Sequence, residues 1–172
     1  TGIILPMPPQ APRAGTRTWE RKVATWVLRA GGWQMRGGLP DLPKAVLIAA
    51  PHSSNWDGIW IYFAATAMGL DISILGKQAL FKIPVLNFIL RRYGGIPAVA
   101  AVGETMFDQT VRLLRQSDRC WVGIAPEGTR SQTGALQRGR AGAAWLARTS
   151  GAPVIPVGLW GVEDLPWATV HL

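Results

Sequence analysis

The feature of this sequence that most restricts its fold is a series of short, almost continuously apolar segments separated by amphipathic ones. The apolar segments predict strands at Ala45–Ala50, Ile72–Leu75, Ile96–Val99, Arg119–Ala125 and Val154–Leu159. The amphipathic segments predict helices at Asp57–Gly69, Pro84–Arg92, Glu104–Gln116 and Gly139–Thr149. A strand that is apolar at every position is buried on both faces, which is typical of parallel sheets. We therefore predict an α/β fold with a mostly parallel central sheet covered by helices on both faces.

The first 44 residues differ in composition from the rest of the chain. Four prolines among the first 12 residues predict an extended, weakly ordered lead. Thr18 is predicted to cap a helix that runs to Ala30, with one apolar face formed by Trp19, Val23, Trp26, Val27 and Ala30. This is either a basic amphipathic helix that lies in a membrane interface or an ordinary helix packed on its own domain. We divide the chain into this segment, 1–44, and an α/β domain, 45–172, for which a truncated C-terminus is one expectation.

Charge and composition limit the possible partners. The 172 residues carry a net charge of +8, nine tryptophans and one cysteine, Cys120. The positive charge favours an anionic lipid surface or a phosphorylated substrate over nucleic acid, because no nucleic-acid motif is present. A single cysteine excludes a disulfide framework and suits a reducing compartment. The longest apolar run, Gly58 to Leu70, is about 13 residues and is shorter than the ~20 that span a bilayer.

Polar residues follow the first predicted strand in the segment that contains His52 and Asp57. Ligands of open α/β sheets bind beyond the carboxyl ends of the strands, so this loop is a candidate site. With His52 in the turn and Asp57 in the first turn of the next helix, the carboxylate accepts a hydrogen bond from one imidazole nitrogen. The other nitrogen then takes a proton as a general base. The pair resembles a Ser-His-Asp triad without its serine, which leaves a substrate hydroxyl as the nucleophile.

Other chemistries lack their sequence signals. His171 is the one other histidine and no His-Glu-x-x-His pattern occurs, so we predict no metal site. No Gly-x-Ser-x-Gly elbow is present, and the Gly-Lys dipeptide at 76–77 is followed by Gln78 and does not form a P-loop.

A second candidate loop follows the fourth predicted strand and contains Glu127, Gly128, Thr129 and Arg130. Gly128 permits close backbone approach, Thr129 offers a hydroxyl donor, and Arg130 can hold two phosphate oxygens. Glu127 would orient Arg130 or bind a substrate hydroxyl. Two further arginines, at positions 138 and 140, either line the same site or are solvated.

With both loops identified, the sequence resembles the glycerolipid acyltransferase family, which includes 1-acyl-glycerol-3-phosphate and lysophospholipid acyltransferases. Four blocks carry the resemblance in the family's order. They are His52 to Asp57, Lys77 with Gly94-Gly95-Ile96-Pro97, Glu127 to Arg130, and Val154-Ile155-Pro156-Val157.

The resemblance implies an O-acyltransferase at the cytoplasmic face of a membrane, bound peripherally. His52 would be the general base and Asp57 would orient it. The substrate-binding residues would be Lys77, Glu127, Gly128, Thr129 and Arg130. The acyl donor would be acyl-CoA or acyl-carrier protein, and the acceptor a glycerol-phosphate or lysophospholipid. The family needs no metal and no cofactor.

The sequence departs from the family after the Gly-Ile block. Many members carry an acidic-basic pair there, whereas this chain has Ala98-Val99-Ala100-Ala101. The missing arginine leaves the acceptor head group open, with Arg91 or Arg92 as the candidate replacement. The alternative function is a non-catalytic, membrane-peripheral lipid-binding member of the same fold.

Overall fold

The computed structural model describes residues 4–52, 56–76, 96–97, 105–128, 131 and 135–160. Its helices are α1 (Thr18–Ala30), α2 (Trp56–Met68), α3 (Met106–Gln116) and α4 (Gly142–Ser150). Its strands are β1 (Lys44–Ala50), β2 (Ile72–Gly76), β3 (Ile96–Pro97), β4 (Cys120–Ile124) and β5 (Val154–Gly158). The predicted helix Pro84–Arg92 lies outside the described residues. The other predicted elements are present, with boundaries that shift by at most three residues.

All strand pairings in the sheet are parallel, and the strand order is β3-β2-β4-β1-β5. Side chains of a strand alternate between the two faces. On β1, Ala45 and Leu47 join one buried cluster with Met68 of α2, whereas Val46 joins a second cluster with Leu146 of α4. The predicted α/β fold, with helices on both faces of a parallel sheet, is therefore confirmed.

The crossover connections leave neighbouring strands in opposite directions. β1 is followed by α2, which packs on one face and leads toward β2. β4 is followed by α4, which packs on the other face and leads toward β5. Two adjacent parallel strands whose connections diverge in this way leave a crevice between their carboxyl ends, where α/β proteins bind ligands. The two candidate loops both leave from this point.

The N-terminal lead is extended, but the prediction that it is weakly ordered was wrong. Ala11 is fully buried in the cluster that α2 shares with the sheet. The Pro9 carbonyl accepts a hydrogen bond from the Arg119 guanidinium, and the Gln10 amide donates to Asp41. Proline-rich composition favoured an extended backbone, but the buried Ala11 and these long-range hydrogen bonds fix its position. The division of the chain at residue 44 stays a prediction.

Helix α1 packs on α2 through a different stripe from the apolar face that its sequence suggests. Ala24 and Leu28 are buried against Trp60 and Ala67. The side chains Trp19, Val23 and Trp26 remain 58%, 49% and 68% exposed. The helix begins one residue after its cap, Arg17, whose amide donates to Glu20, so the predicted capping role of Thr18 was wrong. The predicted interfacial role of the exposed face stays a prediction.

Several basic side chains in the described ranges bind helix carbonyls at the end of the sheet opposite the candidate loops. Arg21 donates to the Met68 carbonyl of α2, and Lys44 to the Arg115 carbonyl of α3. Cations at helix C-termini interact favourably with the helix dipole. Part of the N-terminal positive charge is therefore structural. No helix among the described residues has the length and apolar content needed to cross a membrane.

Candidate active site

His52 lies two residues beyond the end of β1, at the carboxyl edge of the sheet. The Ala50–Pro51 peptide bond is cis, and the Ala50 carbonyl accepts a hydrogen bond of 2.9 Å from the Leu159 amide. Because β1 lies between β4 and β5, His52 is next to the carboxyl end of β4, the central strand of the described sheet. The strand order therefore places His52 in the crevice described above.

Asp57 holds the His52 ring through a short hydrogen bond. The distance from His52 Nδ1 to Asp57 Oδ2 is 2.5 Å. A carboxylate can only accept, so Nδ1 carries a proton, and in the neutral ring the available lone pair is on Nε2. The Asp57 side chain is 3% exposed in the first turn of α2, while the His52 side chain is 32% exposed. The structure thus brings the predicted base and its orienting carboxylate together and leaves part of the imidazole open to a substrate.

Glu127 is a buried carboxylate that joins the two candidate loops. It is 3% exposed, and its Oε2 accepts a hydrogen bond of 3.2 Å from the backbone amide of His52. Its Oε1 accepts a bond of 3.0 Å from the backbone amide of Gln137. Both oxygens are thus bonded to the protein's own backbone. This placement favours a positioning role for Glu127 over direct binding of a substrate hydroxyl.

The second loop holds the backbone of His52 from both sides. While Glu127 accepts from the His52 amide, the Ser131 amide donates to the His52 carbonyl at 2.6 Å. Ser131 is itself buried, and its hydroxyl donates to the Ala135 carbonyl at 2.8 Å. Glu127 and Ser131 flank the predicted anion-binding residues 128–130. Both flanking residues are therefore bonded to His52.

Gly128 completes a tight turn after β4. Its amide donates to the Ala125 carbonyl at 3.2 Å, with Pro126 and Glu127 as the central residues. Proline at the first central position and glycine at the end are typical of this kind of turn. The Gly128 φ of 67° lies in the left-handed region, where a side chain would be strained.

Three of the predicted substrate-binding residues, Lys77, Thr129 and Arg130, lie outside the described residues, so their roles stay predictions. The structure places the others, Glu127 and Gly128, beside His52. The contacts of Ser131 and Gln137 were not predicted, because both residues act through backbone amides. A backbone donor carries no side-chain signal, so a motif search has no means of finding it.

Comparison with known proteins finds relatives that share one name. A chloroplastic 1-acyl-sn-glycerol-3-phosphate acyltransferase of Brassica napus is 27% identical over 129 residues, which cover 74% of this chain and 37% of that protein. A protein of the same name from Pseudomonas aeruginosa is 28% identical over 144 residues, which cover 79% of this chain and 53% of the relative. This chain thus spans about a third to a half of the length of these relatives.

A solved structure shows the same fold. It is the 1-acyl-sn-glycerophosphate acyltransferase PlsC from Thermotoga maritima, with a TM-score of 0.58 and 19% sequence identity. The alignment covers 79% of this chain and 55% of that protein. A family model described as Acyltransferase matches residues 37–160, which include both candidate loops and all five strands. The resemblance found in the sequence is confirmed, and the chain belongs to the acyltransferase family.

Proposed function

We propose that this protein is an O-acyltransferase that moves a fatty acyl group from a thioester to the hydroxyl of a glycerol-phosphate or lysophospholipid acceptor. The thioester is acyl-CoA or acyl-carrier protein. The observation that carries the proposal is the 2.5 Å bond between His52 Nδ1 and buried Asp57, since it leaves Nε2 to act as a base. The names of the relatives support the acceptor class.

The reaction follows from the protonation state of the imidazole. His52 Nε2 takes the proton of the acceptor hydroxyl as its oxygen attacks the thioester carbonyl. An ester C–O bond forms, the C–S bond breaks, and the thiolate leaves with the proton returned by His52. Asp57 stabilises the imidazolium between these two steps. The substrate supplies the nucleophile, so no acyl-enzyme forms, and we expect the reaction to require no metal or cofactor.

The acceptor's phosphate is assigned to the loop after β4. The turn that ends at Gly128 contains Glu127, which bonds to the His52 amide, and the Ser131 amide donates to the His52 carbonyl. Thr129 and Arg130 lie between these residues in the chain, and we assign them the phosphate contacts because hydroxyl and guanidinium groups suit a phosphate. Lys77 follows β2 and is assigned to the same substrates.

The acceptor is supplied from a membrane surface by peripheral binding at its cytoplasmic face. Trp19, Val23 and Trp26 form an exposed apolar strip on α1, and a groove of about 470 Å³ beside α1 is lined partly by Lys22 and Arg29. Indoles at headgroup depth with cations near phosphates are typical of interfacial helices. The helix is antiparallel to α2, because Arg21 binds the Met68 carbonyl at one end of α2, and a Cβ on Gly31 would lie 3.0 Å from the Trp60 ring near the other. The strip therefore extends toward the end of α2 that carries Asp57.

An acyl-CoA thiol-release assay against a panel of lysolipid acceptors tests the proposal. His52→Ala is expected to lower the rate by about 10²–10⁴-fold, which is the usual contribution of a general base. Asp57→Asn is expected to lower it as well, because an amide can donate to Nδ1 and so favours the wrong tautomer. Far-UV circular dichroism and a urea midpoint serve as controls for the fold.

Full activity of His52→Ala would remove this residue from the mechanism. Binding to anionic vesicles with no product from any acyl donor would instead favour the non-catalytic lipid-binding alternative. Measurable transfer by the unaltered protein excludes that alternative.

A further inference from the structure

The side chain of Arg140 lies directly against Gly128. A Cβ atom added to Gly128 would be 3.0 Å from Arg140 Cδ and 3.1 Å from its Nε. The guanidinium carbon would be 3.5 Å away. The absence of a side chain at position 128 therefore allows the arginine to pack flat on the turn that follows β4.

The backbone holds Arg140 in this place. Its amide donates a 2.7 Å hydrogen bond to the Pro126 carbonyl, on the same turn. The neighbouring Gly139 also approaches Pro126, since a Cβ there would be 3.7 Å from the Pro126 Cβ. The backbone of Gly139 and Arg140 and the stem of the Arg140 side chain thus pack against residues 126–128. Glu127, the central residue of this turn, accepts a hydrogen bond from the His52 amide.

The charge of Arg140 is not neutralised by the described part of the chain. The residue is exposed, and no described carboxylate lies within ion-pair distance of its guanidinium. The nearby Glu127 carboxylate is buried and accepts two backbone amides. A fixed arginine without a carboxylate partner, beside a catalytic crevice, is suited to an anionic ligand because its fork of N–H donors matches two phosphate oxygens.

We infer that Arg140 is a phosphate-binding residue for the acceptor. This inference rests on the proposed acyl transfer. The inference also accounts for the absence of a basic residue at Ala98–Ala101. Arg140 would supply the cation for the acceptor's phosphate from a different part of the chain. Binding of the phosphate in ground state and transition state alike would affect KM more than kcat.

Steady-state kinetics of Arg140→Gln with two acceptors tests the inference. One acceptor is lysophosphatidate and the other is monoacylglycerol, which lacks the phosphate. Loss of a charge-assisted bidentate contact is expected to raise KM for lysophosphatidate roughly tenfold or more, with KM for the acyl donor unchanged. KM for monoacylglycerol should not rise. Arg140→Lys should recover part of the loss, since it keeps the charge but not the fork.

Arg148→Gln is the matched control, because Arg148 is exposed in the last turn of α4 and carries the same charge. Its KM values should equal those of the unaltered protein. An unchanged lysophosphatidate KM in Arg140→Gln, or a rise confined to the acyl donor, would overturn the inference while leaving the proposed reaction intact. Absence of transfer by the unaltered protein with every acceptor would refute the proposed function and this inference with it.

Discussion

The buried carboxylate of Glu127 gives the sharpest test of how the two loops are held together. It accepts backbone amides from His52 and Gln137 at 3.2 and 3.0 Å. Glutamine keeps one acceptor oxygen but turns an NH₂ group toward the second amide, so Glu127→Gln replaces one hydrogen bond with two donors that face each other. Hydrogen bonds to charged groups contribute about 1.5–3 kcal/mol, and both distances are long for such bonds. We therefore expect a loss of roughly 2 kcal/mol in the free energy of unfolding.

The same substitution is expected to reduce turnover. Freed from Glu127, the His52 backbone shifts relative to the substrate, and a misplacement of about 1 Å can cost on the order of 10²-fold in rate. We expect kcat to fall roughly 10- to 100-fold with a smaller change in KM, because the substrate contacts assigned to other residues remain.

Urea unfolding and steady-state acyl transfer measure the two effects on the same preparation. Asp118→Asn is the control, since Asp118 is an exposed carboxylate in the turn before β4, at the other end of the sheet. It should leave both the urea midpoint and kcat unchanged. Unaltered stability together with unaltered kcat in Glu127→Gln would refute the bracing role. A raised acceptor KM at constant kcat would instead indicate that Glu127 binds substrate directly.

Two further predictions concern the surface of α1 and the core. Trp19→Ser with Trp26→Ser should weaken binding to anionic vesicles in a sedimentation assay by more than roughly tenfold, because each indole loses about 1.5–3 kcal/mol of apolar burial, whereas Trp145→Ser, on α4, should bind normally. Equal binding by both variants would exclude the interfacial role. Burial raises the pKa of the Cys120 thiol from 9.0 to about 11. The Asp71 charge adds a smaller increase, and the Lys44 charge opposes it. Between these pH values the unfolded thiol loses a proton that the folded one keeps, so stability should fall as pH rises. Urea midpoints from pH 8 to 11 should therefore decline less in Cys120→Ala, and parallel curves would contradict this assignment.

Much of the architecture was predictable because burial on both sheet faces leaves a direct trace in the sequence. In β1 the run from Ala45 to Ala50 is apolar at every position, and the structure buries Leu47 on one face and Val46 on the other. The surroundings of α1 were harder to predict. Its apolar face at Trp19 and Trp26 is regular, yet the stripe that packs on α2 is formed by the smaller Ala24 and Leu28. Periodicity shows that a helix has an apolar face but does not show what covers it.

The pairing of His52 with Asp57 was predictable because both residues belong to one strand–turn–helix unit, with a separation of five residues. The contact of His52 with Glu127 spans 75 residues and depends on β4 lying next to β1. Strand order is set by the whole sheet and leaves no local signal. For this reason the motif predicted a functional role for Glu127 without revealing that it bonds to the backbone of His52.

The strand order also explains why such a brace is needed. β1 and β4 are neighbours, but the chain leaves β1 toward α2 on one face of the sheet and leaves β4 toward α4 on the other. This divergence opens a crevice of the kind in which α/β proteins bind ligands, and it also ends the backbone hydrogen bonding between the two strands. Glu127 and Ser131 restore the connection by bonding to the amide and the carbonyl of His52. The proposed base on one loop and the proposed anion site on the other can act on one substrate only if the two loops are held together, and these two bonds join them.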